Sequence, residues 1–124
     1  MVSNVSVLTD HGTTVLIVDD EPPYADAHAR MLADRYDVHT AYSGEAALEM
    51  IDEFVDVLLI DRRMPRRSGE EVIEELHERG IDCRTIVLSA IDPRADAVEV
   101  PIDDYLRKPV EKGELRASID RVLC

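Results

Sequence analysis

Three short, mostly apolar runs, each ended by a polar side chain, constrain the fold of this chain more than any other feature. The runs occupy residues 15–18, 55–60 and 85–88. The residues that follow them directly are Asp19, Asp61 and Ser89. Runs this short and this apolar are typical of strands that are buried on both faces of a parallel sheet.

Amphipathic patterns separate these strand candidates. Apolar stripes predict helices over residues 22–32, 46–51, 68–80 and 115–123. The third of them begins with a capping box at Ser68-Gly69-Glu70-Glu71 and ends at Gly80. Between Asp92 and Pro101 the apolar pattern is poor, which predicts a short or distorted helix.

Two weaker strand patterns, at residues 38–42 and 104–107, complete the alternation. Strand and helix alternate in units of about 20–30 residues, which indicates right-handed crossovers and a doubly wound α/β sheet. In such a sheet, ligand-binding and catalytic residues lie at the carboxyl ends of the strands. The residues at those ends are Asp19, Asp20, Asp61, Ser89 and Lys108.

The composition of the chain limits the classes of partner that it can bind. The 124 residues make one domain and carry 27 acidic against 14 basic side chains, a net charge of −13. This charge argues against direct binding of nucleic acid or of an anionic membrane. Only two bases are lysine, a composition expected of a halophilic protein. No apolar run is long enough to span a membrane, and the two cysteines form no disulfide framework, so we expect a cytoplasmic protein.

The converging acids predict phosphoryl chemistry. Three carboxylates at one edge repel one another unless a cation such as Mg²⁺ relieves the repulsion. Asp61 could then be both metal ligand and nucleophile, while Lys108 supplies positive charge and the Ser89 hydroxyl donates to a phosphoryl oxygen.

In these motifs the sequence resembles the response-regulator receiver domain of two-component signalling. The matching stretches are Val15–Glu21, Leu59–Pro65, Ser68-Gly69, Leu88–Ala90 and Asp103–Pro109. The resemblance covers residues 14–123 and is nearest to the haloarchaeal branch. It implies a flavodoxin-like five-stranded sheet in the order 2-1-3-4-5, with residues 1–13 as a flexible arm and residues 14–124 as the receiver domain.

The resemblance also implies roles. Asp61 would accept phosphate from a sensor histidine kinase. Asp19 and Asp20 would hold Mg²⁺ together with Asp61 and the backbone carbonyl of Arg63. Lys108 would pair with the phosphate, after a Lys108–Pro109 peptide that is usually cis in the family. The chain would be a signalling switch that catalyses only its own phosphorylation and slow autodephosphorylation, and not an enzyme with a separate substrate.

For the switch itself, the resemblance implies that Ser89 is the hydroxyl and Tyr105 the aromatic residue. Phosphorylation would change the face made by the fourth helical unit, the fifth strand and the last helix. An output domain or protein, or a second copy of the chain, would bind that face. Lys108 lies nineteen positions after Ser89, a shorter spacing than is usual in the family, so this face is expected to be unusual.

Two further features of the sequence lead to predictions. Arg63 and Ile91 flank the path by which water would attack a phosphorylated Asp61, which predicts slow loss of phosphate. Arg62, Arg63, Arg66 and Arg67 form a basic patch. It either steers an acidic partner or, in the plainer interpretation, pairs in solvent with Glu70, Glu71 and Glu74.

Three other functions compete with that of a phospho-accepting receiver. A non-phosphorylated interaction module of the same fold is the main one, although the complete set of site residues argues against it. A hydrolase with an aspartyl phosphate needs an acid two positions after its first-strand nucleophile and a cap domain. A flavin-binding protein needs a phosphate loop after Val18, where Asp19-Asp20-Glu21 would repel the phosphate.

Overall fold

The computed structural model describes residues 12–124, which form five parallel strands and four helices. The strands are β1 (Thr14–Val18), β2 (Asp37–Ala41), β3 (Val57–Asp61), β4 (Arg84–Ser89) and β5 (Asp104–Arg107). The helices are α1 (Pro22–Leu32), α2 (Gly44–Met50), α3 (Gly69–Glu78) and α4 (Lys112–Leu123). The sheet order β2-β1-β3-β4-β5 confirms the predicted order. Residues 1–11 of the predicted arm lie outside the described residues.

The register of the sheet brings the carboxyl ends of its inner strands level with one another. Val18 of β1 pairs with Ile60 of β3, and Asp61 pairs with Leu88 of β4. The polar residues that follow β1 and end β3 and β4 therefore lie on one edge, as the sequence predicts.

Two apolar layers cover the sheet, because successive strand residues point to opposite faces. Leu16 and Val18 of β1 face α2 and α3, where they pack with residues such as Ile73. Val15 and Ile17 face α1 and α4. All five residues of β3 are buried, as expected of the central strand in a parallel sheet.

The helices begin and end where the sequence signals stand. Pro22 opens α1. At α3 the capping box is formed, since the Glu71 amide donates to Ser68 Oγ (3.2 Å) and the Ser68 amide donates to Glu71 Oε1 (2.9 Å). Gly80 follows that helix with a φ of 73°, a conformation that favours glycine. None of the helices in residues 12–124 is long and apolar enough to cross a membrane.

Residues 90–103, here called the 90–103 segment, connect β4 to β5 without a helix. The structure has a single turn, in which the amides of Ala95 and Asp96 donate to the Asp92 carbonyl (2.9 and 3.3 Å). The short or distorted helix that the sequence predicted is therefore absent, and one turn takes its place. Pro101 lacks the amide hydrogen that would bind the Ala97 carbonyl in a helix, so a helix in this segment could not continue to β5.

Candidate functional site

Lys108 joins two of the predicted site carboxylates. Its Nζ lies 3.1 Å from Asp19 Oδ2 and 3.1 Å from Asp61 Oδ1. Its amide donates to the Ser89 carbonyl (2.9 Å), which fixes the end of β5 beside the end of β4. The Lys108–Pro109 peptide is cis, as expected. Four residues that are far apart in the sequence are thus brought to one edge of the sheet.

Asp19 and Asp20 stand with Glu21 in a group whose carboxylate oxygens can all lie within 4.8 Å of one another. The Glu21 amide donates to Asp19 Oδ1 (3.0 Å), while Lys108 occupies the other oxygen. Glu21 follows the predicted pair directly but was not predicted as a site residue. A set made only of carboxylate oxygens suits a hard cation such as Mg²⁺.

The charges at this edge are only partly compensated. Burial has the largest effect on Asp61 and raises the pKa of its carboxyl; the neighbouring Asp19 and Asp20 raise it further, and Lys108 opposes them. Burial works against the charge of Lys108, but the two carboxylates outweigh it and hold the pKa of Lys108 above its usual value. A further cation would therefore stabilise the ionised form of Asp61.

Ser89 and Tyr105 are linked through Ile91. The Ile91 amide donates to Ser89 Oγ (3.1 Å), and the Tyr105 hydroxyl donates to the Ile91 carbonyl (2.7 Å). Ser89 is buried, whereas Tyr105 is half-buried on β5. The two predicted switch residues thus both bind the backbone of Ile91, Ser89 at its amide and Tyr105 at its carbonyl.

A cavity of about 620 Å³ opens beside these groups. Its polar lining comes from Glu21, Asp61, Arg63, Ser89 and Lys108. Side chains of α1, among them Tyr24 and Met31, form an apolar wall. His28 lies in the same wall, and its Nδ1 is buried without a hydrogen-bond partner. Burial lowers the pKa of His28, and the charge of Lys108 lowers it further.

The loop after Asp61 returns closely over the end of β3. The Gly69 amide donates to the Arg62 carbonyl (2.9 Å). A Cβ atom on Gly69 would lie 2.5 Å from the Asp61 carbonyl oxygen, so only glycine fits here without a shift of the backbone. Gly69 therefore determines how closely α3 approaches the predicted phospho-acceptor.

The basic patch is not uniformly solvated. Arg62 is only 2% exposed and pairs with Glu70, so for this residue the prediction of a solvent-facing pair was wrong. Arg63 is exposed and pairs with Asp96 (2.7 Å), an acid that was not predicted as its partner. No signal in the sequence indicates that one of these four arginines is buried, because the residues that bind the Arg62 guanidinium include the backbone of Asp96 and Ala97, far away along the chain.

Comparison with known proteins identifies the family. A family model described as the response regulator receiver domain matches residues 15–120. A Haloferax volcanii protein named as a transcriptional regulator is 46% identical over 110 residues, which are 88% of this chain and 19% of that protein. The transcriptional regulatory protein DltR of Streptococcus agalactiae is 37% identical over 85% of this chain and 49% of its own length. The chain thus spans about a fifth and about a half of these relatives.

Solved structures agree with these matches. The receiver domain protein of Clostridium thermocellum superposes with a TM-score of 0.81 at 26% identity, over 90% of this chain and 94% of that one. The response regulator TrrA of Thermotoga maritima, solved in complex with Mg²⁺ and BeF, gives 0.77 at 30% identity, over 89% and 98%. The chain belongs to the response regulator receiver domain family.

Proposed function

We propose that this chain is the phospho-accepting receiver of a two-component phosphorelay and that Asp61 takes the phosphoryl group from a sensor histidine kinase. The position of Lys108, 3.1 Å from both Asp61 and Asp19, carries the proposal. It fixes a positive charge beside the carboxylate that would be phosphorylated. Phosphoryl transfer depends mainly on such positioning and charge neutralisation.

The site residues fit Mg²⁺, since the acids at the end of β1 offer only oxygen ligands and the pKa of Asp61 is raised by burial and by its acidic neighbours. Asp19, Asp20 and Asp61 would hold the ion together with the backbone carbonyl of Arg63. Bound there, Mg²⁺ would neutralise charge on the phosphoryl oxygens.

The chain's own groups account for the rest of the reaction. One Asp61 oxygen attacks the phosphorus of the phosphohistidine, the phosphorus–nitrogen bond breaks, and the imidazole leaves. Lys108 pairs with the charge of the product. The Ser89 hydroxyl accepts from the Ile91 amide in this structure, and its own proton would donate to a phosphoryl oxygen. A movement of Oγ toward that oxygen would shift Ile91 and with it the contact to Tyr105.

The signal would leave through another domain or protein. The two curated relatives are named as regulators of transcription and are longer than this chain, which is the basis for proposing an output domain or an output protein; a second copy of the chain is a further candidate partner. Since the chain is strongly acidic, direct contact with nucleic acid is not part of the proposal. We place the protein in the cytoplasm, where kinase and output would meet it.

The test is the intact mass of the chain after incubation with acetyl phosphate and Mg²⁺ in high-salt buffer. Wild type is expected to gain one phosphoryl group and Asp61→Asn none. Asp82→Asn is the matched control, because Asp82 is an exposed aspartate in the loop before β4, at the opposite edge of the sheet, and it should be phosphorylated like wild type.

Phosphorylation of Asp61→Asn would place the acceptor elsewhere and contradict the proposal. Failure of wild type to gain phosphate or to bind Mg²⁺, with the fold intact by circular dichroism, would favour the non-phosphorylated interaction module instead.

A further inference from the structure

The guanidinium group of Arg62 is buried and fully engaged, directly after the proposed phospho-acceptor. Its Nε donates to Glu70 Oε1 (3.0 Å). Its Nη1 donates to the Asp96 carbonyl (2.6 Å) and its Nη2 to the Ala97 carbonyl (3.0 Å). The side chain is only 2% exposed. A charge buried to this extent is stable only while its hydrogen-bond partners stay in place.

Arg62 thus supplies donors to two backbone carbonyls of a segment that has no helix. In a helix, the Asp96 carbonyl would accept from the amide four residues further along, whereas Pro101 has no amide hydrogen to donate to the Ala97 carbonyl. In the 90–103 segment both carbonyls accept from one planar guanidinium fork instead. Only arginine presents several donors in this rigid arrangement; a lysine ammonium is a single point charge. The position of the segment therefore depends on one side chain that belongs to the phosphorylation loop.

The same guanidinium also contacts the proposed aromatic switch. Its Nη1 lies 3.4 Å from the Tyr105 hydroxyl, and its Cζ lies 5.9 Å from the centre of the Tyr105 ring. The Tyr105 hydroxyl donates to the Ile91 carbonyl, and the Ile91 amide donates to Ser89 Oγ. A continuous chain of polar contacts therefore runs from Arg62 through Tyr105 and Ile91 to Ser89.

We infer that Arg62 is a positioning residue that holds Tyr105 and the 90–103 segment in the arrangement of this structure, and that a movement of Ser89 reaches it through Ile91 and Tyr105. The second half of this inference rests on the proposed function, because phosphorylation of Asp61 provides the input. The holding contacts themselves do not depend on it. Both ends of the contact chain meet at Asp61, since Arg62 is bonded to it covalently and Ser89 lies in the same cavity.

The first experiment measures hydrogen–deuterium exchange by mass spectrometry in the unphosphorylated chain. In Arg62→Met, amides of the 90–103 segment are expected to exchange about tenfold faster or more, while those of β1 and β3 keep the wild-type rate. Arg79→Met is the matched control. Arg79 also donates to a glutamate and to a backbone carbonyl, those of Glu75 (3.1 Å) and Leu48 (2.8 Å), far from the segment. It should leave the segment unchanged.

An unchanged exchange rate in the segment of Arg62→Met would overturn the inference. If that variant loses its fold, Arg62→Lys takes its place. The lysine keeps the positive charge but not the fork, so the faster exchange should still be confined to the segment. Wild-type exchange in a folded Arg62→Lys would show that charge alone suffices and would equally overturn the inference.

The second experiment tests transmission by ¹⁹F NMR of chains that contain fluorotyrosine. The Tyr105 resonance is assigned by its absence in Tyr105→Phe. In wild type it should shift when Mg²⁺ and beryllofluoride are added. In Arg62→Met it should already be displaced before the addition, and its response should fall to less than about half. Arg79→Met should respond like wild type.

The outcomes separate the two proposals. A wild type that responds to neither beryllofluoride nor acetyl phosphate contradicts the proposed function, while the exchange result still decides whether Arg62 holds the segment. A wild type that responds, together with an Arg62→Met variant that starts from the same resonance and responds equally, contradicts the inference and leaves the proposed function standing.

Discussion

Replacement of Gly69 by alanine tests how closely α3 must approach the proposed phospho-acceptor. The new Cβ would lie 2.5 Å from the Asp61 carbonyl oxygen and 3.2 Å from Arg62 Cα. Carbon and carbonyl oxygen normally come no closer than about 3.3 Å, so α3 or the end of β3 must move by about 0.8 Å. Both neighbours are backbone atoms, which cannot rotate out of the way as a flexible side chain would.

The magnitude follows from two opposing effects. Forcing a methyl group into a packed site costs about 1–3 kcal/mol. Alanine in place of glycine in a helix contributes about 0.5–1 kcal/mol of stability. The difference is about 0–2.5 kcal/mol, so Gly69→Ala should lower the free energy of unfolding by about 1 kcal/mol. The shift should also slow phosphorylation of Asp61, because displacements of about 1 Å near a reacting group cost up to about a hundredfold in rate.

Urea denaturation followed by circular dichroism measures the first effect, and the time course of intact mass with acetyl phosphate measures the second. Gly113→Ala is the matched control. It introduces the same methyl group in the first turn of α4, where a Cβ atom would meet nothing within 4 Å. That variant should be more stable than wild type by about 0.5–1 kcal/mol and be phosphorylated at the same rate.

The reasoning would be refuted if the urea midpoints of Gly69→Ala and Gly113→Ala both shifted in the same direction from that of wild type. Equal stabilisation would mean that the backbone near Asp61 yields at no cost. Equal destabilisation would mean that the effect does not come from the contact with the Asp61 carbonyl. If Gly69→Ala loses stability but is phosphorylated as fast as wild type, the close approach of residue 69 to the Asp61 carbonyl affects stability and not phosphorylation.

Three further results are expected. Arg63→Asn should lose phosphate several-fold faster than wild type in a chase followed by intact mass, because Arg63 lines the cavity beside Asp61; an unchanged rate would contradict the predicted hindrance of water. Ser68→Ala should lower the urea midpoint by the equivalent of about 1 kcal/mol, because the capping box of α3 is lost. Burial raises the pKa of the Cys83 thiol to about 11, so its alkylation by iodoacetamide should be slow at pH 8. The rate should increase about tenfold for each unit by which the pH is raised toward that pKa. Fast alkylation of Cys83 at pH 8 in the folded chain would contradict this prediction.

The sheet and the site at its edge could be predicted from sequence because both depend on local patterns. A buried parallel strand needs an uninterrupted apolar run, and the residue that follows it must lie at the edge. The positions of Asp61, Ser89 and Lys108 followed from this rule, and the structure brings all three to one cavity. Their roles in phosphoryl transfer stay predictions, which the phosphorylation experiment would test.

The path of the 90–103 segment could not be predicted in the same way. The poor apolar pattern between Asp92 and Pro101 predicted a short or distorted helix, but whether such a helix forms depends on where its carbonyls find donors. Those donors come from Arg62, which is 34 residues away from Asp96 in the sequence. No local pattern distinguishes Arg62 from Arg63, although one is 2% and the other 64% exposed.

The loss of the helix changes what can move when the phosphorylation site changes. A helix satisfies its own carbonyls and so keeps its shape when its neighbours shift. In the 90–103 segment, two carbonyls depend on the side chain of the residue next to Asp61, and a third, that of Ile91, accepts from Tyr105. A displacement at the end of β3 or at Ser89 would therefore act directly on the hydrogen bonds that hold the segment. On the proposed function, the face that carries the output is thus coupled to Asp61 through hydrogen bonds that a substitution at Arg62 can remove selectively.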